Sequence, residues 1–296
     1  MPLIREFSEK AIKALKQEPL FNGHLFADIV AGNPKGPRFV FPAVRNGRID
    51  FYWGGGKLFS YEQPSGFKTH HKYASVLFGN SGDDYISESL LGNGTIRLIK
   101  DFCEGYERIK ENCEKYSGSE ALGVSSLYER FSCARKGAPS VVVLDIEASF
   151  ANNEGQGQDR VDIVTLDTDS NTIRFVEAKH YSNHASLKTS SEVPAVFDQM
   201  QKYAAQIQNP ENKILEAYKK HVNVINALFS IDIPEPAYVD PEPILLIFGF
   251  DKEQRDHYLK PKIEKPLRDK GLRIYSIGEI KESNLSVVFR GGKANW

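Results

Sequence analysis

Residues Arg160 to Tyr181, RVDIVTLDTDSNTIRFVEAKHY, restrict the fold more tightly than any other stretch of the chain. Two runs of β-branched and apolar residues flank the polar segment Thr168-Asp169-Ser170-Asn171, the pattern of two buried strands joined by a short turn. If those residues form the turn, Asp162 falls opposite Glu177. An even number of loop residues keeps the pair on one face of the sheet, whereas an odd number would turn Asp162 to the other. Strand alternation puts Glu177 and Lys179 on the face that also carries Ile173 and Phe175.

In that register the two carboxylates have Cβ atoms roughly 5 Å apart, a spacing at which like charges destabilise a sheet. At an effective dielectric of about 20 their repulsion is on the order of 3 kcal/mol before solvent screening. A divalent cation would offset it, since Mg2+ takes oxygen ligands and is commonly held by one or two carboxylates together with substrate phosphate. Lys179, one pleat beyond Glu177, could then meet an attacking water or the phosphate. A salt bridge in which Lys179 neutralises both acids accounts for the same three charges equally well. The segment SSEVPAVFDQMQKYAAQI predicts a helix with Phe197, Met200, Ala204 and Ile207 as its apolar stripe. Gln199 and Tyr203 lie four apart on the flank of that stripe, positioned to face the edge of the hairpin.

Upstream, FVFPAVR, Asn46-Gly47 and RIDFYW form the signature of a type I′ hairpin, followed by a further strand, KLFSYE. Apolar spacing predicts helices from Thr95 to Tyr116 and from about Ser125 to Arg135, the second carrying Glu129 off its apolar stripe. PSVVVLDIEASF precedes the hairpin as a strand; NKILEAYKKHVNVINALF reads as a helix, PILLIFGF as a buried strand, EQRDHYLKPKIEKPLRDK as a helix and GLRIYSI as a last strand. The expected class is α/β in composition, an α+β arrangement with a mixed sheet flanked by helices. An amino-terminal α+β region over 1–120 and a core over 121–296 are the expected domains.

Asp162, followed by Glu177-Ala178-Lys179 at the end of the next strand, resembles the D…ExK signature of the PD-(D/E)XK nuclease superfamily. Gln199-Met200-Gln201-Lys202-Tyr203 is similar to the QxxxY motif of its exonuclease-like branch, and the element order from Ser125 to about Ile280 is that of the family core. Glu129, in LYERF, resembles a glutamate that junction-resolving relatives place on the helix before the first strand. The resemblance implies a restriction-endonuclease-like core and hydrolysis of phosphodiester bonds, in DNA more than in RNA because most of the family acts on DNA. It implies Mg2+ or Mn2+ held by Asp162, Glu177, the Ala178 carbonyl and Glu129, with Lys179 orienting the attacking water and Gln199 and Tyr203 steadying the substrate backbone. A departure is Val161 where the family commonly has proline. Glu147 could approach the same site or form a cross-strand ion pair. The alternatives are a catalytically inactive nucleic-acid-binding or assembly module on the same fold, and a sequence-specific restriction endonuclease.

Charge gives no global push toward nucleic acid or membrane, because 38 Lys and Arg stand against 39 Asp and Glu. A polyanion site must therefore be local. Arg38 to Lys72 is one candidate, with Arg45, Arg48, Lys57 and Lys68 interleaved with Phe51, Tyr52 and Trp53, and a small sheet with an aromatic core fits it equally well. This amino-terminal region could also mediate homo-oligomerisation. Three unpaired cysteines, the lack of an apolar membrane-length run and the amphipathic opening MPLIREFSEKAIKALKQ make a cytoplasmic location the expectation. WGGGKLF lacks the spacing of a phosphate-binding loop, His180 and His184 lack an obvious third zinc ligand, and Asp83-Asp84 reads as turn chemistry.

Overall fold

The computed structural model describes residues 3–31, 39–75, 85–88, 98–150, 160–188, 193–278, 280 and 282–292. Arg38, Asp83-Asp84 and the loop 151–159 lie outside the described residues. The chain forms two compact units, one from Ile4–Ala138 with Lys220–Ile233 and the other from Met1–Leu3, Pro139–Lys219 and Pro234–Trp296. The division expected at 120/121 falls inside the helix Ser119–Tyr128, and the later helix Ile214–Phe229 is shared between the units. Neither feature changes the local periodicity from which the boundary was read.

The unit that begins at Ile4 contains α1 (Glu9–Leu15), a π-turn (Phe21–Leu25), α2 (Phe26–Val30), β1 (Phe41–Arg45), β2 (Arg48–Trp53), β3 (Gly56–Glu62), β4 (Gly66–His70), α3 (His71–Ala74), β5 (Tyr85–Ser87), α4 (Tyr106–Lys115) and α5 (Ser119–Tyr128). Its sheet runs β1-β2-β3-β4-β5 and is antiparallel throughout. The Asn46-Gly47 turn pairs Arg45 with Arg48 as predicted, but only Gly47 is at positive φ, 68°, so the turn is not of the expected type I′. Residues 95–97 of the expected helix lie outside the described residues; from Leu98 onward the helix begins at Tyr106, because the Asp101 carboxylate accepts the Glu104 N–H at 2.8 Å and fixes a turn ahead of it. Ile99 and Phe102 are buried from this turn rather than from a helix face. Lys110 is buried too, its ammonium 2.6 Å from Asp28 and 4.1 Å from the centre of the Trp53 ring.

The second unit comprises β6 (Val141–Ser149), β7 (Arg160–Asp167), β8 (Thr172–His180), α6 (His184–Leu187), α7 (Val196–Gln208), the start of α8 (Ile214–Phe229), β9 (Tyr238–Val239), β10 (Ile244–Phe248), α9 (Lys252–Gln254), a π-helix (Arg255–Glu264), α10 (Lys265–Asp269), β11 (Arg273–Ile277) and α11 (Glu282–Phe289). Its sheet has the order β11-β10-β8-β7-β6, with β9 beside β8. β6, β7 and β8 are antiparallel, while β8, β10 and β11 are parallel, so the sheet is mixed and the class is α+β. β10 is apolar along its whole length because it is buried between two parallel neighbours.

Paired residues share a face, which places Asp145, Val164 and Phe175 on one side of the sheet. α8 covers that side, where the Tyr218 hydroxyl donates to the buried Asp145 carboxylate at 3.1 Å and its ring lies edge-on to Phe175. The opposite side carries Thr165, whose hydroxyl donates to the Phe289 carbonyl of α11. No helix among the described residues is long and apolar enough to cross a membrane.

The β7–β8 register runs from Asp167↔Thr172 to Ile163↔Val176, so the turn holds the even number of residues on which the hairpin reading depends. Asp167 anchors it by accepting the Asp169 N–H at 3.2 Å and the Ser170 hydroxyl at 2.9 Å, and Asn171 closes it at φ 51°. Asn tolerates that left-handed conformation, whereas a β-branched residue does not. Asn171→Gly should leave chemical-denaturation stability within about 1 kcal/mol of wild type, and Asn171→Val should cost about 1–2 kcal/mol.

Candidate active site

The β7–β8 ladder ends at Ile163↔Val176, one residue short of Asp162 and Glu177. Past that point the Ala178 N–H donates to a side chain, Asp162 Oδ2, at 2.8 Å. Asp162 thus reaches across to β8 beside Glu177, as the even turn predicts. Glu177 is 1% exposed, and its Oε1 accepts from Lys179 Nζ at 2.5 Å and from Gln199 Nε2 at 2.9 Å. Gln199 Nε2 also donates to the Tyr203 hydroxyl at 2.8 Å, and that hydroxyl donates to the Arg160 carbonyl at 2.5 Å. The side chains of Glu177, Lys179, Gln199 and Tyr203 therefore form one connected set, which Asp162 joins through the main chain of β8. The buried α7 residues Met200, Tyr203 and Ile207 hold that helix in place, while Gln199 sits at its polar margin.

The second Glu177 oxygen, Oε2, is buried and makes no hydrogen bond of ordinary geometry among the described residues, while the Asp162 main-chain N–H and the Tyr203 hydroxyl also face the carboxylate and favour its charged form. Burial pushes the Glu177 carboxyl above its usual pKa, and the neighbouring Lys179 ammonium opposes that rise without cancelling it. A buried carboxylate oxygen left unsatisfied costs about 1–3 kcal/mol or more. Carboxylate and main-chain oxygens are hard donors of the type that Mg2+ and Mn2+ prefer, so the Asp162–Glu177 set fits such a cation, which would complete Oε2.

No protein-family model matches the chain, and no curated protein or solved structure is significantly similar to it. The site stands on its own geometry.

Glu129 belongs to the unit that begins at Ile4, in a 3-10 turn after α5, where its buried carboxylate accepts the Gly54 N–H at 3.3 Å. Among the described residues no three His, Cys, Asp or Glu side chains gather at metal-binding spacing, so any cation at Asp162 and Glu177 would be completed by main-chain oxygen, water or substrate. Glu147 has the unusual φ of 47° for a strand residue and pairs across the sheet with Arg160 at 3.5 Å, the ion-pair arrangement foreseen as one of its two roles. His180 contacts the Ser182 hydroxyl through Nδ1 at 2.7 Å, and its other nitrogen abuts Gly249 so closely that a Cβ there would lie 2.3 Å away.

Among the described residues, the basic and aromatic strands of the other unit offer no stacking platform. Phe51, Tyr52 and Trp53 are buried, and Arg45 and Arg48 both point at the buried Asp50, at 3.7 Å and 2.8 Å. The aromatic-core reading of that segment is the one the structure bears out. Sequence reasoning missed the Arg160 carbonyl, because a main-chain acceptor leaves no signal in residue type. It also missed Asp145, whose burial follows from a β-bulge between Val143 and Asp145. An open cleft of about 500 Å³, lined by residues such as Ile207, Pro210, Ile214 and Val239, shares no residue with the acid cluster.

Two measurements test this geometry. Because the folded-state pKa of Glu177 lies above its unfolded value, the protonated form favours folding and ionisation opposes it. The stability of the metal-free protein relative to Glu177→Gln should therefore be greatest below the normal glutamate pKa and fall as pH rises through the raised folded-state value. Denaturant melts in chelator from pH 4 upward would show this, and a difference that grew with pH would mean that the Lys179 pairing outweighs burial. Tyr203→Phe should cost about 1–3 kcal/mol, since it strips a partner from both the Arg160 carbonyl and Gln199.

Proposed function

We propose that the protein is a metal-dependent nuclease with a PD-(D/E)XK-like core, acting on nucleic acid and on DNA before RNA. The observation that carries this reading is the buried Glu177 carboxylate, with one oxygen held by Lys179 and Gln199, the other without a hydrogen bond of ordinary geometry, and Asp162 alongside. A purely structural ion pair would ordinarily give both buried oxygens well-formed hydrogen bonds. Mg2+ or Mn2+ bound there would supply charge neutralisation at a phosphodiester and a nucleophile at neutral pH. Asp162 and Glu177 would hold the cation, with the Ala178 carbonyl as a further donor. Lys179, 14% exposed, would orient a water or meet charge developing on the phosphate. Gln199 would fix the rotamer of Glu177, and Tyr203 would fix Gln199 through the Arg160 carbonyl. The order and identity of these residues also match the D…ExK and QxxxY motifs.

One observation favours the rival reading, a catalytically inactive module on the same fold: Lys179 already sits 2.5 Å from Glu177, as a structural pair would. Asp162→Asn separates the two. Its amide oxygen can still accept the Ala178 N–H, so the variant should fold and melt in chelator at or above the wild-type temperature, with one negative charge fewer beside Glu177. Millimolar Mg2+ should raise the melting temperature of wild type and not that of Asp162→Asn. Cleavage of a panel of single-stranded, duplex, branched and RNA substrates in Mg2+ or Mn2+ should fall by about 10²–10³-fold or more in the variant. A variant that melts lower in chelator yet cleaves as fast as wild type would sink the nuclease reading.

A further inference from the structure

β8 and β10 are parallel, so their carboxyl-terminal ends lie together, and everything that follows them in the chain emerges beside Glu177 and Lys179. The Tyr181 N–H continues this pairing by donating to the Phe248 carbonyl at 2.8 Å. From Glu177 to Tyr181 the strand covers about 13 Å, a distance a nucleic-acid strand spans in a few nucleotides. At Tyr181 the Lys188 ammonium lies 3.8 Å from the centre of the ring, and 5.7 Å from the ring of Tyr258. Tyr258 is on the π-helix that follows β10 and is 37% exposed, one of few large aromatic side chains open to solvent among the described residues.

The rest of this helical segment is built in two faces. Leu259, Ile263 and Leu267, four apart, are buried against the unit, while Tyr258 and Lys262 run along the adjoining exposed ridge. Between Lys252 and Arg273 eight Lys and Arg stand against four Asp and Glu, a local excess in a chain whose overall charge is balanced. Part of it is internally neutralised, because Asp256 pairs with Arg255 and Lys260 and Glu264 pairs with Arg268. Lys252, Lys262, Lys265 and Lys270 are exposed, and among the described residues none has an ion-pair partner. Unneutralised cations beside an exposed ring suit a phosphate backbone whose unpaired bases can stack. Duplex DNA would offer the phosphates but keep its bases stacked inside.

We infer that the ridge formed by Tyr258, Lys262 and Lys265, with Lys188 at its inner end, binds a single-stranded segment of nucleic acid next to the Asp162–Glu177 site. The inference deepens the nuclease reading by naming its substrate as a strand with unpaired bases, and it rests on that reading for what happens to the strand. Lysines take the phosphates, and Tyr258 takes a base. The acid cluster lies at the inner end of this track, beyond Tyr181.

Binding and cleavage are measured separately. In chelator, fluorescence anisotropy reports the affinity of a labelled 20-nucleotide single strand and of its duplex over a series of salt concentrations. Lys262→Glu/Lys265→Glu should weaken single-strand binding at least tenfold and lower the salt slope by about 1.4, the contribution of two phosphate contacts on a single strand. Tyr258→Ala should weaken single-strand binding about tenfold and leave duplex binding unchanged. Both variants change exposed side chains and should melt with wild type. Unchanged affinity and slope in the double variant, equal loss for duplex and single strand in Tyr258→Ala, or no measurable binding by wild type would each overturn the inference. Metal-dependent cleavage by wild type that the double variant leaves intact would remove the binding ridge and keep the nuclease. Variant-sensitive binding without any cleavage by wild type would keep the ridge and remove the nuclease.

Discussion

The opened end of the β7–β8 ladder is the constraint on which the site depends. Main-chain pairing stops at Ile163 and Val176, and the Ala178 N–H goes to the Asp162 carboxylate instead of a strand carbonyl. That exchange lets two acids that would face each other across a closed ladder sit side by side without an unsatisfied backbone donor. The Tyr203 hydroxyl takes up the Arg160 carbonyl at the start of β7. Helix α7 is thus tied by a hydrogen bond to this end of the hairpin, and Gln199 inherits its position from it.

The parts of this arrangement legible in the sequence are those governed by periodicity. Alternation along Ile173, Phe175, Glu177 and Lys179, with an even turn closed by Asn171, determined which face the charges occupy. The apolar spacing of α7 likewise turned Gln199 toward the hairpin, although the buried stripe is Val196, Met200, Tyr203 and Ile207, with Tyr203 inside it and Phe197 and Ala204 only half-buried. Features that arise from departures from regular geometry left no such trace. The bulge in β6 that buries Asp145, the Asp101 turn that delays α4 and the π-helical stretch that accommodates Pro261 are all local exceptions to a periodic pattern.

Other expectations failed or were resolved for chemical reasons. A glutamate just ahead of a core strand is compatible with metal ligation and with backbone capping; Glu129 does the second, on Gly54. Basic residues alternating with aromatics describe both an open binding sheet and a closed one with its arginines folded over an acid. Asp50, a single carboxylate in the middle of β2, decides for the closed form by drawing in Arg45 and Arg48. Lys252, Lys262, Lys265 and Lys270, after β10, carry no comparable partner among the described residues, and the difference between the two basic regions lies in where the acids are, a property that residue counts do not record.

The division of the chain has a consequence for how the protein is made. The unit begun at Ile4 contains Lys220–Ile233 as well, and Phe229 from that return segment packs against Phe21 and Phe26 near the amino terminus. On the ribosome that unit cannot close when its first 135 or so residues have emerged, since it must wait for a segment encoded after the hairpin and α7. Its long-range contacts set a slow, late step, during which both cores are present in the nascent chain and neither is sealed. Closure of the unit begun at Ile4 therefore waits for the second half of α8. Cutting the gene at Ala138 would separate neither unit intact.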